Sequence, residues 1–300
     1  MPQTVVGAPP AGGTPAGGTR ILVRSDLVIL VGGAVFIGSM LANLLLILGA
    51  AFVVGGLKHG TQRFAKTRAR DTCVLLALAT AALVLPSVAQ YSHSPAEPHV
   101  KVLSDVVAVV LLLVFALSLP AALRRQPAAG GGGADSAGAP EAPEHEPARW
   151  PLWLAVGLLA LASVVSALVS DWFVEALQPS IQTLHLSQAF AGLVVVAIAG
   201  NAVENVVGIQ LAARNHADYA LSVIINSPLQ IALVLAPALV LLSLFTATTL
   251  TLVFAPMLVI AVVVTVLIVA LIVFDGESNW LEGATLIGLY VIIATVFWWG

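Results

Sequence analysis

Charged side chains make up only 9% of these 300 residues, against about 25% in an ordinary water-soluble chain. That scarcity excludes a soluble domain, whose surface needs charge to face water, whereas a bilayer solvates apolar surface directly. Cysteine occurs once, at Cys73, which excludes a disulfide framework or a thiolate metal centre within one chain. The net charge of −3 gives no electrostatic footprint for nucleic acid, and no basic segment studded with aromatics supplies one. No nucleophile–base pair or phosphate-binding glycine loop falls in a structured stretch, so the chain does not read as an enzyme and needs no cofactor. The start lacks the basic segment and apolar core of a signal peptide. Alternation of apolar and polar residues, the mark of a membrane barrel, is also missing.

What the chain has in quantity is apolar length. Residues of the apolar class make up 59% of it, with a mean hydropathy of +1.03. A helix needs about 20 apolar residues to cross the hydrocarbon. Eight runs qualify, over 27–57, 72–91, 102–123, 150–177, 189–213, 219–245, 250–274 and 280–299. An isolated strand facing lipid would leave its backbone groups unpaired, so each run is expected as a helix. The fold class is therefore an all-α, multi-pass integral membrane protein of about eight transmembrane helices, with the lipid bilayer as its first partner.

Composition also divides the chain. Residues 1–26 are rich in Gly, Ala, Pro and Thr and are expected to be disordered. Three helices follow in 27–123. A Gly/Pro-rich linker over 124–149 carries Asp135, Glu141, Glu144 and Glu146, and five helices occupy 150–300. Basic residues set the orientation. If every run spans, Lys58, Arg63, Lys66, Arg68, Arg70, Arg124, Arg125, Arg149 and Arg214 share one side, and Arg20, Arg24 and Lys101 the other. The loop 58–70 and the linker are thus expected in the cytoplasm. The N-terminal tail would then lie outside without an export signal, unless an odd number of helices precedes it.

Most acidic residues fall at run ends, where water or headgroups solvate them: Asp71, Asp105, Asp171, Glu175, Asp218, Asp275, Glu277 and Glu282. Glu204 is different, being the only charged residue of the run 189–213. An intramembrane carboxylate costs several kcal/mol and points to function. The sequence Gly200-Asn201-Ala202-Val203-Glu204-Asn205 puts Asn201, Glu204 and Asn205 on one helical face. Hard cations such as calcium take several oxygen ligands of the carboxylate, amide and backbone carbonyl kinds. Gly200 permits a local unwinding that would free carbonyls. Asparagines inside a membrane also serve simply as interhelical hydrogen-bonding groups. The next run holds Asn226-Ser227-Pro228-Leu229-Gln230, where Pro228 is expected to kink the helix and turn Ser227 and Gln230 inward. The first run holds a comparable patch, Gly38-Ser39-Met40-Leu41-Ala42-Asn43. Aligning Ser39 with Ser227 gives a weak internal repeat, as in transporters built from two inverted halves.

At these residues the chain resembles the calcium/proton exchangers, a branch of the calcium/cation antiporter superfamily. Gly200–Glu204 is similar to the Gly-Asn-Ala-x-Glu core of the family's second repeat, and 38–49 to a segment of its first. Residues 275–283, Asp-Gly-Glu-Ser-Asn-Trp-Leu-Glu-Gly, are similar to the segment before the family's last helix. The resemblance covers about 27 to 300. It implies two inverted five-helix repeats after one extra helix, of which this chain would hold the last three helices of the first repeat and all five of the second. The family's other Gly-Asn-x-x-Glu helix, whose glutamate faces the one matching Glu204, has no counterpart here: the first asparagine is Asn43 and the first glutamate Glu97. An N-terminal truncation is therefore expected, from a truncated reading frame or separately encoded N-terminal helices, and a homo-oligomer is the other partner considered. The chain departs from the pattern at Asn205, where the family usually has histidine, at Asn226, usually glycine, and at Ala42, commonly serine.

The resemblance implies exchange of calcium for protons, across a bacterial plasma membrane. Ion binding and proton coupling are assigned to Glu204, Asn201, Gly200, Asn205, Ser227, Gln230, Ser39 and Asn43, with Glu204 as the metal ligand and Asn201 and Gln230 as neutral ligands. A carboxylate kept from water favours its protonated form, yet yields the proton when a divalent cation arrives. Two such groups neutralise calcium, whereas one leaves net positive charge, so coupling by this chain alone is expected to weaken or fail. The alternatives are a non-transporting fragment or assembly subunit, and an antiporter for another cation.

Overall fold

The computed structural model describes residues 33–124, 151–246 and 249–299. The expectations for the N-terminal tail and for the linker with its acidic residues lie outside the described residues. Within them the apolar runs are helical over most of their length: α1 over Gly33–His59, α2 over Lys66–Tyr91, α3 over Val100–Arg124 and α4 over Leu152–Thr183. Then come α5, broken into Gln188–Gly200 and Ala202–Ala213, α6 over Ala217–Ser243, α7 over Pro256–Val273 and α8 over Trp280–Trp298. Seven of these are long and apolar enough to cross a membrane, and the two pieces of α5 make an eighth span when taken together. The protein is an all-α, multi-pass integral membrane protein.

Local chemistry sets the ends. Pro256 opens α7, where its missing N–H is no loss and its fixed φ suits the first helical position. At α8 the Asn279 side chain accepts from the backbone of Leu281 and Glu282 while Glu282 bonds back to the Asn279 amide. This reciprocal cap satisfies donors that a helix start leaves free. Asp275 bonds the Glu277 amide, and Gly276 takes the left-handed φ of 77° that the preceding turn needs. The polar residues of 275–283 thus build a turn and a cap. Three boundaries differ from the hydropathy reading, one of them the end of α4, which runs on from 177 to Thr183. Helix α2 starts six residues early, at Lys66, because Lys66, Arg68 and Arg70 lie in its solvated first turns. The run 250–274 becomes helical only at Pro256. Its first part is non-helical, held where Ser87 Oγ donates to Leu252 O (3.2 Å) and accepts from Phe254 N (2.9 Å), and where Ser104 Oγ accepts from Leu252 N (3.1 Å).

Helix α1 is the buried centre, with Met40, Leu41, Leu44, Leu45 and Leu48 all enclosed. It crosses α8 backbone to backbone: a Cβ on Gly49 would sit 2.7 Å from Gly283 O, and one on Gly56 would sit 2.5 Å from Trp280 N. Small residues at such crossings let membrane helices approach closely. Helix α4 lies at the other extreme, with no buried side chain among its described residues.

Contacts between connections report the threading. Gln62 and Arg63, after α1, pair antiparallel with Glu277 and Ser278, before α8, and Arg63 meets Glu277 at 3.1 Å. The same α1–α2 loop bonds the α5–α6 turn through Gln62 and Asn215. At the opposite end, the α2–α3 end meets the segment between α6 and α7, and Ser187 before α5 bonds Phe297 O at the end of α8. Odd connections meet odd and even meet even, as alternating spans require. Helix α5 therefore crosses the whole bundle despite its bend.

Candidate functional site

The break in α5 bends it by 63° between Gly200 and Ala202. Asn201, at the break, has φ −107° and ψ 19°, outside helical geometry. A broken helix strands carbonyls that have lost their amide donors. Two side chains replace those donors: Asn201 Nδ2 donates to Ala197 O at 2.8 Å, and Asn205 Nδ2 to Ile198 O at 3.2 Å. With both amide nitrogens so engaged, each amide oxygen is turned away from its own helix end.

The Asn201 oxygen meets a second helix, and through it a third. Ser227 of α6 donates to Asn201 Oδ1 at 3.4 Å and accepts from Asn43 Nδ2 of α1 at 3.3 Å. Asn43 Nδ2 also bonds Ser39 O, one turn back, at 3.1 Å. Asn43 is fully buried inside a π-helical stretch, Ala42–Ile47, the kind of widened turn that recurs at functional sites. A second such stretch, Ile231–Leu235, follows Gln230, and α6 continues through Pro228 as a single span. The oxygens Asn43 Oδ1 and Asn205 Oδ1 are buried and accept no hydrogen bond from the described residues. A buried acceptor without a donor is costly unless another partner supplies positive charge.

Glu204 lies in the first turn of the second α5 piece, between Asn201 and Asn205, and is half-buried. No hydrogen bond or ion pair to its carboxylate forms among the described residues. It faces the positive end of a half-helix, a position that favours an anion. The structure thus brings Ser39, Asn43, Asn201, Asn205 and Ser227 together beside Glu204. Gly200 sits at the break, exposed, with nothing within 4 Å of where a Cβ would be. Gln230 is exposed one turn beyond Ser227 and makes no hydrogen bond, and Asn226 is exposed and bonded to Ser222 at 3.3 Å. No cluster of three His, Cys, Asp or Glu occurs among the described residues. Sequence reasoning did not find the carbonyls of Ala197 and Ile198, because a backbone atom's role has no residue signature.

The family model described as sodium/calcium exchanger protein matches residues 154–299. A Ca(2+)/H(+) antiporter of Aphanothece halophytica is 34% identical over 285 residues, which cover 92% of this chain and 76% of that one. The Ca(2+)/H(+) antiporter ChaA of Bacillus subtilis is 36% identical over 261 residues, covering 87% and 73%. The fission yeast Schizosaccharomyces pombe has a vacuolar calcium ion transporter 32% identical over 285 residues, covering 94% and 68%. Among solved structures, native YfkE superposes with a TM-score of 0.72 at 32% identity, covering 92% of this chain and 79% of that one. The H+/Ca2+ exchanger CAX reaches 0.63 at 16% identity, covering 90% and 69%, a likeness of fold. A broken helix with asparagines at the break, an intramembrane glutamate beside them and relatives of this kind over nine-tenths of the length leave one assignment: the chain belongs to the calcium/proton exchanger family of the calcium/cation antiporters.

Proposed function

We propose that this protein exchanges calcium for protons across a membrane, the plasma membrane of a bacterium, with Glu204 as the charged ligand. The observation that carries the reading is the meeting of Asn43, Asn201 and Ser227, from three helices, at the break one turn from Glu204. Calcium is substrate here, and so is the proton. Oxygens of Asn201, Asn205, Asn43 and Ser227 supply neutral ligands, and Gln230 joins them through a side-chain rotation. The names of the relatives, two of them calcium/proton antiporters, support the choice of ions.

Competition at one carboxylate drives the exchange. In the proton-loaded state Glu204 is neutral and its oxygens hydrogen-bond within the cluster. Calcium entering the amide oxygens gains Coulomb attraction only from the ionised form, so binding expels the proton. The reverse exchange follows on the other side of the membrane. The proton-loaded site crosses the low-dielectric interior neutral, whereas the empty, ionised one would carry its charge through it.

A second reading rests on the charge count. The described residues place a single carboxylate at the cluster, which leaves calcium with net positive charge. A second acidic group, from a further transmembrane element, a separately encoded partner or another copy, would complete the site. Without it the chain binds calcium but exchanges it weakly, as an assembly subunit would. An antiporter for a monovalent cation would also suit one carboxylate. Everted membrane vesicles with an imposed pH gradient distinguish these readings. Calcium accumulation in the wild type that is lost in Glu204→Gln supports the first. Calcium binding sensitive to Glu204→Gln without accumulation supports the second. Gradient-driven sodium or potassium movement with no calcium effect supports the third. Calcium uptake identical in both proteins sinks the assignment of Glu204.

A further inference from the structure

The half-helix that carries Glu204 and Asn205 at its start ends at Ala213, and this far end is held from across the bundle. Gln62, in the loop after α1, is 2% exposed. Its Nε2 donates to Ala212 O at 3.1 Å and to Asn215 Oδ1 at 3.0 Å. His59 Nε2 lies 3.0 Å from Ala213 O, which can only accept. Ala212 O also accepts from Asn215 N at 3.0 Å, and the two side chains add further donors to the end of α5 from a segment about 150 residues earlier in the chain. Gly55 makes room for the device, since a Cβ there would run into the Gln62 amide oxygen. The loop is itself fixed, with Gln62 paired to Ser278, Phe64 N bonded to Gly276 O, and Ala65 N bonded to Asp218 at 2.6 Å.

We infer that Gln62 is a positioning residue for the cation site: by capping the C-terminus of α5 it sets where the second half of that helix places Glu204 and Asn205 relative to Asn43. Dispersion contacts between packed helices are individually weak and carry no direction of their own. Directional bonds at the far end supply the register. A rigid half-helix of twelve residues transmits it, so an axial shift at Ala212 arrives undiminished at Asn205. Asn43 is on α1, the helix leading directly into the loop of Gln62, and it reaches Asn201 of α5 through Ser227 of α6. Groups behind metal ligands that orient them typically change affinity about 10- to 100-fold when removed.

The inference rests on the reading of Glu204 and the asparagines as calcium ligands, and its test separates the two. Hydrogen exchange is followed in the purified full chain across 198–213, with calcium titrated, for wild type, Gln62→Met, Gln62→Glu and Gln62→Lys. Met keeps the length without a donor, Glu keeps the shape without a donor, and Lys returns N–H donors at similar reach. The calcium midpoint for protection of the break is expected to rise about tenfold in Met and Glu and to stay near wild type in Lys, with melting temperatures alike. Equal midpoints in all four proteins overturn the inference, as does a rise that tracks melting temperature and ignores the donor. Absence of calcium protection in the wild type rejects calcium as the ligand, and the inference is then decided by calcium-free exchange of Ala202–Ala213. Faster exchange in Met and Glu, but not Lys, upholds it, and equal rates reject it.

Discussion

The Asn43 amide lies 3.3 Å from the Ser227 hydroxyl, joining helices 184 positions apart in the chain. Ser227 in turn bonds Asn201 at the break of α5, so three spans meet through side chains with spare oxygen atoms. Asn43 Oδ1 and Asn205 Oδ1 are both buried without a donor among the described residues.

Replacing Asn43 separates architecture from ligation. Interhelical hydrogen bonds in membranes contribute roughly 0.6 kcal/mol on average and at most about 1.7, so Asn43→Ala should barely move the melting temperature. Calcium affinity, measured by isothermal titration, should fall about tenfold if Asn43 Oδ1 is a ligand. A large stability loss with unchanged affinity would make the cluster structural.

Adding charge tests the single-carboxylate count. Calcium sites are tuned by ligand charge, so Asn43→Asp should raise calcium affinity about tenfold at neutral pH, while losing the amide bond to Ser39. Weaker binding in that variant would show that a second charge at this place does not complete the site.

Two glycines should respond in opposite ways. At Gly49 an alanine Cβ meets Gly283 O at 2.7 Å, whereas at Gly200 nothing lies within 4 Å. Overpacking costs about 1–3 kcal/mol, so Gly49→Ala should lower thermal stability and Gly200→Ala should not. Gly200→Ala should instead reduce calcium binding, because alanine favours a continuous helix across the break. Equal melting temperatures for the two variants would refute the close crossing of α1 and α8.

How far the sequence carries this account depends on the kind of signal. Eight apolar runs betray the spans because length against bilayer thickness needs no partner information, and the Gly200-Asn201 pair marks the break because glycine tolerates it. The non-helical piece before α7 was invisible, since Leu250–Phe254 is as apolar as a helix and is held by the hydroxyls of Ser243, Ser87 and Ser104, the last two far off in sequence. Lys66 and Arg68 hid the start of α2 because charge counts against a span although it suits a helix end in water. Gln62 gave no signal at all: a lone glutamine in a basic loop is informative only once Ala212 is known to lie beside it.

Orientation follows from the basic loop. Thr61 lies at the end of the bundle that bears Lys58, Arg63, Lys66 and Arg68, and Ser94 belongs to the α2–α3 connection at the opposite end. In a background with Cys73 replaced, a cysteine at Ser94 should react with an impermeant thiol reagent applied to intact cells, and one at Thr61 should not. The reverse pattern would invert the topology.

The central claim is that calcium and a proton compete for Glu204. Calcium is added to the purified chain in weakly buffered solution, with wild type beside Glu204→Gln, and the protons released are counted against the calcium bound. The account predicts about one proton released per calcium in the wild type and neither binding nor release in Glu204→Gln. Calcium binding with the same affinity and the same proton release in the variant would contradict it.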